Sequence, residues 1–449
     1  MRKGFIFDLN RCVGCEACVL ACQIENHELQ NESWRSISTF NAFQHPALPL
    51  FHFSLACNHC DDPLCLTGCP ANAFSMDPIH HTVDHDQDLC IGCRYCTWTC
   101  PYDAPKYVTA KGTIEKCTLC KERIVEGKKP NCANLCPTGA LAYGEIETKL
   151  ATDVPGFTDK GLRPGIRIIP LRKKSPPFTV TPFLTENENL LFRKAQFKDE
   201  RKSTLKSEWP LVLFTILAAL LFAVTAAALF NAPLLDPLTF IALAVGGLIV
   251  STVHLGKACN AWRALLNVRS SWLSREIAAY SLFVGSSGLF FLISPTTLAG
   301  ILSVLLGLAT LVSIDMVYAS IERRPTPVEK SGSVLITGIL FFAVLAQISL
   351  LMVAILLWNC VVYIREIRKA RRRNLLRLLV SGVRIAVGIV LPLLLVGMPG
   401  NVWLVAMFVL IGESVNRVEF YLDLDIVTPR SQIAEDILKE LASSVTGQL

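Results

Sequence analysis

Sixteen of the eighteen cysteines in this chain lie before residue 137, in four groups of four. Cys12, Cys15, Cys18 and Cys22 are spaced C-x2-C-x2-C-x3-C, and Cys90, Cys93, Cys96 and Cys100 repeat that spacing. Cys57, Cys60, Cys65 and Cys69 follow C-x2-C-x4-C-x3-C, while Cys117, Cys120, Cys132 and Cys136 carry eleven residues in their middle gap. Proline follows the last cysteine of the second, third and fourth groups (Pro70, Pro101, Pro137), and Gln23 takes that place in the first. Thiols at such short, regular intervals suit metal rather than disulfides, which belong to exported chains. Zinc is the more serious competitor, because four tetrahedral sites would use all sixteen thiolates. Three cysteines within seven residues depart from the zinc habit of pairing two distant CxxC knuckles. Zinc therefore stays as the lesser reading, and analysis for iron and acid-labile sulfide separates the two.

The C-x2-C-x2-C-x3-C-P run is the bacterial ferredoxin signature, and its chemistry explains the spacing. A cubane cluster presents four irons, each needing one thiolate. A tight loop with a cysteine at every third position wraps three corners. The fourth cysteine, after three intervening residues, opens a helix and points away; in two-cluster ferredoxins it serves the other cluster. Four groups thus predict two ferredoxin-like dicluster units, an internal repeat within an α+β domain.

The chain that must position these thiols has 449 residues, enough for about three soluble domains. It is not soluble throughout. Hydrophobic residues make up 52% and charged residues 18%, against about 25% charged in a typical soluble protein, which excludes disordered and collagenous classes. Residues 1–149 read as the four-cluster domain and 150–207 as an irregular Pro-rich strap (Pro155, Pro164, Pro170, Pro176, Pro177, Pro182). Residues 208–449 read as an all-α polytopic membrane anchor. Its apolar segments 209–230, 238–255, 276–293, 298–320, 334–363, 378–396 and 402–422 predict seven helices at roughly 20 residues per span. Lys and Arg exceed Asp and Glu by one over residues 1–208 and by five over 209–449. The basic bias belongs to the apolar half, so it reports topology rather than nucleic acid. The opening MRKGFIFDLN has no apolar core and no twin arginine, so no signal peptide is expected.

His254 is the one histidine of eight in the apolar half. With no second histidine for bis-His ligation there, no haem is expected. A histidine titrates near neutral pH and so can accept a proton; by spacing alone, a merely helix-capping role is equally good. Arg263, Arg275 and Glu276 follow in the next loop. Asp315, Glu413 and Arg417 sit in or near apolar segments, where charges are costly and often functional. Mutual pairing is the competing reading, and Glu413 and Arg417 are four apart on one helix face. Cys259 and Cys360 have no cysteine neighbours and read as small apolar residues.

These stretches carry a family resemblance. RCVGCEACVLAC at 11–22, ACNHCDDPLC at 56–65, CIGCRYCTWTCPYDAPKY at 90–107 and KCTLCKERIVEGKKPNCANLCPTGAL at 116–141 closely resemble the four-cluster iron–sulfur subunit of the dimethyl sulfoxide reductase family, over about residues 1–185. EWPLVLFTIL at 208–217, HLGKACNAWRALLNVRSSWLSREI at 254–277, VYASIERRPT at 317–326 and GESVNRVEFYL at 412–422 resemble, more weakly, the anchor subunit of the same enzyme. These are usually separate chains, so the sequence looks like a natural fusion. The resemblance implies four [4Fe–4S] clusters with crossed ligation. Cys12, Cys15 and Cys18 would join Cys136, and Cys117, Cys120 and Cys132 would join Cys22. Cys57, Cys60 and Cys65 would join Cys100, and Cys90, Cys93 and Cys96 would join Cys69. Some relatives replace the residue matching Cys93 and hold a three-iron cluster; this chain keeps the cysteine.

The resemblance further implies an oxidoreductase subunit in a prokaryotic cytoplasmic membrane. It would oxidise menaquinol from the quinone pool near His254, Arg263, Arg275 and Glu276. Its electrons would pass to a separate molybdopterin-containing catalytic subunit of anaerobic respiration. Two other classes stay open: the same parts running in reverse as a quinone-reducing module of a molybdenum dehydrogenase, and a zinc-stabilised, non-enzymatic membrane adaptor. Sidedness follows from loop charge. Loops 256–275 and 321–333 hold seven basic residues, whereas 231–237 and 294–297 hold none, which predicts a cytoplasmic iron–sulfur domain. One run conflicts: the seven basic residues of 365–377 fall outside if 334–363 crosses once. Seven crossings place Leu449 on the far side, and eight return it.

Overall fold

The computed structural model describes residues 2–26, 33–42, 44–45, 48–147, 154–172, 205–230, 235–293, 297–321, 333–369, 375–396, 401–424 and 426–446. The chain divides into two compact units, Met1–Lys202 with Ile426–Leu449, and Ser203–Asp425.

The first unit is built on the strand Arg2–Asp8, whose alternation sends Phe5 and Phe7 inward. It pairs antiparallel with Leu141–Ile146 on one side and parallel with Ile166–Ile169 on the other. A ribbon of Ser36–Phe40 with Phe51–Leu55 stacks the rings of Phe40 and Phe51 at 4.6 Å. Two three-residue ribbons, Phe74–Met76 with Val83–His85 and Lys106–Val108 with Thr113–Glu115, lie around the second and third cysteine groups. The core joins Phe5, Phe7, Phe40 and Phe53 to Cys18, Cys60 and Cys132, so thiols form part of the interior itself.

Two boundaries differ from expectation. The Pro-rich segment 150–207 is not irregular throughout: Ile166 and Ile168 point into the core from a strand, and Val154, Phe157 and Leu162 are buried beside them. Residues 173–204 of that segment lie outside the described residues. The second difference is at the other end. Residues 426–449 belong to the first unit rather than to a 208–449 anchor. The helix Pro429–Thr446 carries Ile433, Ile437 and Leu441 at four-residue steps, and all three pack on the core. Asp436 accepts a hydrogen bond from the Gly156 N–H at 2.8 Å. Gly156 has φ +82°, and a Cβ there would meet Ile433 Cγ1 at 2.8 Å, so the close seat needs glycine.

The second unit is helical: Leu205–Ala228, Pro237–Val253, Trp272–Leu292, Thr297–Ile321, Val334–Leu345, Ser349–Lys369, Leu375–Ile385 running on through a π-turn to Leu391–Leu395, and Val402–Asp423. Among the described residues, Ser207–Ala228 and Thr297–Ile321 are each long and apolar enough to cross a membrane. Pro237–Val253 and the 3-10 helix Ala258–Leu265 qualify together but bend by 107°. The expected single segment 334–363 is two helices. Gln347 sits left-handed at φ +54°, and Ile348 N–H reaches Ala343 O at 2.9 Å while Gln347 N–H reaches Val344 O at 3.2 Å. That is a Schellman end, in which backbone geometry rather than Gly or Pro stops the helix. The expected loop charges Arg323, Arg324 and Lys330, and residues 370–374 of the basic run, lie outside the described residues.

Gly388 and Gly412 bring two helix backbones together: a Cβ on Gly388 would meet Gly412 Cα at 2.5 Å. Gly412→Val should therefore destabilise the membrane unit by about 1–3 kcal/mol of overpacking, read as a lower thermal midpoint in detergent. An unchanged midpoint would mean that these helices do not pack at this crossing.

Candidate metal centres and buried groups of the membrane unit

The four CxxC turns share one backbone device. Their third residues, Gly14, His59, Gly92 and Leu119, are all left-handed, with φ of +72°, +42°, +69° and +62°. The turn aims amide groups at sulfur: Gly92 N–H lies 3.4 Å from Cys90 Sγ, and Leu119 N–H lies 3.3 Å from Cys117 Sγ. In the first, third and fourth groups a second left-handed residue (Glu16, Arg94, Cys120) then starts a helix: Ala17–Glu25, Tyr95–Thr99 and Lys121–Val125. Cys18 and Cys22 lie on one face of the first of these, about 6 Å apart along its axis. One helix thereby carries the third and fourth thiols of the first group.

Cys12 lies within electrostatic reach of Cys18, Cys136 and Cys15. Cys22 lies near Cys132 and Cys120, and Cys117 near Cys22, Cys57 and Cys132. Cys60 has Cys57, Cys100 and Cys65 as neighbours, and Cys93 has Cys69 and Cys90. The last cysteine of each group thus stands near thiols of another group.

The donor set fits clusters better than single ions. Four thiolates on one zinc lie about 3.8 Å apart, from a metal–sulfur length of about 2.3 Å. Among the described residues, no three of His, Cys, Asp and Glu converge closely enough to hold one ion. Amides also serve two of the crossing cysteines, Ala73 N–H to Cys69 Sγ and Leu141 N–H to Cys136 Sγ, each at 3.4 Å. Burial raises the Cys136 thiol, but the Leu141 amide and the Thr138 hydroxyl outweigh it, and the pKa falls below its ordinary value. Burial pushes Cys22 up to about 12, so metal loading there must displace a proton. The cavity lined by Cys22, Cys117, Cys120 and Cys132 also exposes Arg35, whose buried Nε has no hydrogen-bond partner among the described residues.

In the membrane unit the predicted residues turn to different partners. His254 is the C-cap of Pro237–Val253, at φ −80°. Arg263 lies in the 3-10 helix with its guanidinium 5.1 Å from the Trp262 ring, and its Nε is buried without a hydrogen-bond partner among the described residues. Arg275 donates to Val268 O at 3.0 Å and Arg269 O at 2.6 Å and stacks on Trp272, so it closes its own loop. Glu276 is buried in the first turns of Trp272–Leu292, within electrostatic reach of Arg417.

Asp315 proves to be a cap supplied from a neighbouring helix. It accepts from Ser333 Oγ at 2.6 Å, Val334 N–H at 2.8 Å and Leu335 N–H at 3.2 Å, at the start of Val334–Leu345. Glu413 accepts from Thr337 at 2.6 Å and Asn416 at 3.0 Å, whereas Arg417 donates to Thr215 at 3.0 Å and lies over Phe420 and Tyr318. A further buried group escaped sequence reasoning: Glu419 accepts from Tyr363 at 2.6 Å and Ser381 at 3.1 Å, with Arg384 3.8 Å away. The four-residue steps Glu413–Arg417–Tyr421 on one apolar helix signal the first of these clusters, whereas Glu419 stands off that stripe.

Comparison with known proteins finds matches in both units. Residues 48–146 match the family model of the 4Fe-4S dicluster domain, and residues 203–359 match that of the DMSO reductase anchor subunit (DmsC). The sequence is 36% identical over 201 residues to YnfG of Escherichia coli strain K12, a probable anaerobic dimethyl sulfoxide reductase component, covering 42% of this protein and 98% of that one. It is 36% identical over 195 residues to a component of the anaerobic dimethyl sulfoxide reductase of the same strain, covering 40% and 95%. It is also 32% identical over 204 residues to a component of the sulfite dehydrogenase of Allochromatium vinosum, covering 38% and 83%.

Proposed function

This protein belongs to the dimethyl sulfoxide reductase family as an iron–sulfur subunit fused to its membrane anchor, and on that premise we propose that it oxidises menaquinol and passes the electrons to a separate molybdopterin-containing catalytic chain. The observation that carries this reading is the continuity of one polypeptide from four thiol sets into apolar helices. Bound to those thiols, four [4Fe–4S] clusters supply one-electron transfer. The ligand sets are those given above: Cys12, Cys15, Cys18 and Cys136; Cys22, Cys117, Cys120 and Cys132; Cys57, Cys60, Cys65 and Cys100; Cys69, Cys90, Cys93 and Cys96.

The protein's own residues handle the protons. Each quinol loses two electrons and two protons. His254 follows the second apolar helix; with one crossing for each of the first two, it stands on the side from which the polypeptide entered, and an imidazole there accepts a proton near neutral pH. Arg263, whose Nε has no hydrogen-bond partner among the described residues, holds a headgroup oxygen. Glu276 takes the second proton beside the Arg417 charge, and Arg275 keeps the loop in place. The iron–sulfur domain is proposed to be cytoplasmic, from the basic loop 256–275.

His254→Ala should leave iron content and reduction by dithionite unchanged while slowing cluster reduction by menaquinol about 100-fold, the usual scale of one acid–base group. Normal quinol-driven reduction in that variant would return His254 to helix capping. A second reading reverses the electron flow, and similarity to a sulfite dehydrogenase component favours it. The identity of the co-purifying catalytic chain distinguishes the two.

A further inference from the structure

We propose that Arg35 is a fixed positive charge that raises the reduction potential of the cluster held by Cys22, Cys117, Cys120 and Cys132; this rests on the ligand assignment proposed above. Arg35 is 2% exposed, among the most buried large side chains in the molecule. It precedes the strand Ser36–Phe40, and one end of its guanidinium is anchored on the paired strand, donating to Ser54 O at 3.1 Å and Ser54 Oγ at 3.0 Å. Its charge centre lies 4.7 Å from the centroid of the Phe5 ring. Among the described residues no carboxylate pairs with it, and its Nε has no hydrogen-bond partner. The cavity that it lines with Phe5 has no carboxylate in its wall either, only the four thiols and neutral groups.

An unpaired buried cation costs several kcal/mol, and guanidinium does not escape by losing its proton. Thiolates are the negative groups within its reach: those of Cys132, Cys117, Cys18 and Cys22. Three of these four belong to one proposed cluster. Cys18 belongs to the neighbouring set, and its sulfur also lies 3.2 Å from Ser54 Oγ, the hydroxyl that Arg35 grips. Reduction adds one electron to a site that is already negative, and the guanidinium exchanges no proton with it. The whole of its field therefore favours the reduced form. In an interior with an effective dielectric constant near 20, a full charge within several ångströms contributes well over a tenfold change in that equilibrium. Rigid anchoring on Ser54 and Phe5 makes the contribution a constant of the fold.

The test is a redox titration of the full-length membrane protein, monitored by electron paramagnetic resonance, with Arg35→Gln, Arg35→Lys and Cys132→Ser beside the wild type. With Arg35→Gln, one cluster should become harder to reduce by at least tenfold in its equilibrium constant, about 59 mV for a one-electron couple. The same signal should be lost or altered in Cys132→Ser. Arg35→Lys keeps the charge and should hold the potential to within that tenfold. Four unmoved potentials in Arg35→Gln would overturn the inference, as would Arg35→Lys falling as far as Arg35→Gln. If Arg35→Gln assembles incompletely, Arg35→Lys decides in the same way: a retained potential supports a role for charge, and a lowered one refutes it. If Cys132→Ser spares the signal that Arg35→Gln shifts, the ligand assignment fails while the charge effect stands.

Discussion

A reporter fused after Leu449 reads on the same side of the membrane as the cysteine-bearing domain. Seven crossings, as counted from apolar segments, require the opposite. The reversal rests on three features of different origin. The last helix, Pro429–Thr446, is part of the unit that holds the cysteines, so the polypeptide joining the two must cross an even number of times or not at all. Its attachment is substantial. Ile433 and Ile437 are 6% and 1% exposed in a core shared with Phe40 and Phe53, at about 1.5–3 kcal/mol for each such side chain. The segment 334–363 is two helices that break at the left-handed Gln347, and a reversal of the chain at that break would supply the additional crossing. On that topology the basic run 365–377 would share the side of the cysteine domain with the basic loops 256–275 and 321–333, as the positive-inside rule expects. The effect is all-or-none: paired fluorescent-protein and alkaline-phosphatase fusions at Leu449 and within the cysteine domain should agree. Opposite readings would mean that the last helix does not dock in the membrane-bound protein.

What the sequence disclosed was what local spacing encodes. Cysteine intervals are ligand geometry written along the chain, and the shift from charged to apolar composition at residue 209 marks the change of surroundings. Features set by distant partners were not legible. Arg35 is one charged residue among many until Ser54, nineteen positions on, and the thiols of the fourth group close around it. Glu276 and Arg417 come within electrostatic reach across 141 positions, and no pattern in either helix announces the meeting. Asp315 reads as an intramembrane functional charge until Val334–Leu345 begins against it. Two misses had signals. Ile433, Ile437 and Leu441 form an amphipathic stripe in a helix too polar for a bilayer, which should have separated it from the anchor. The repeated left-handed third position of the CxxC turns was visible at Gly14 and Gly92; His59 and Leu119 hid it, because the same backbone there carries larger groups.

Those two residues lead to the second large effect: withdrawing the iron dissolves the fold of the cysteine-bearing unit. Left-handed backbone costs a non-glycine residue about 1–2 kcal/mol, and His59, Leu119, Glu16, Arg94 and Cys120 all adopt it around the thiols. Little regular structure holds them there, since the ribbons Phe74–Met76 with Val83–His85 and Lys106–Val108 with Thr113–Glu115 are three residues long on each strand. Without a cluster, Arg35 is also a buried charge with no anion beside it, at a further cost of several kcal/mol. Against this stands an apolar core of Phe5, Phe7, Phe40 and Phe53, and neutral thiols that tolerate burial as small apolar groups. The strain and the orphaned charge together match or exceed the roughly 5–15 kcal/mol that a domain has to spare. Ligation therefore supplies the margin, as it does in other small metal-held domains. Anaerobic treatment with a strong chelator should abolish the cooperative melting of this unit and open residues 2–172 to protease, while the helical circular dichroism of the membrane unit persists in detergent. A chelated protein that still melted cooperatively at an unchanged midpoint would assign the stability to the phenylalanine core, and the left-handed turns would then owe their shape to packing rather than to metal.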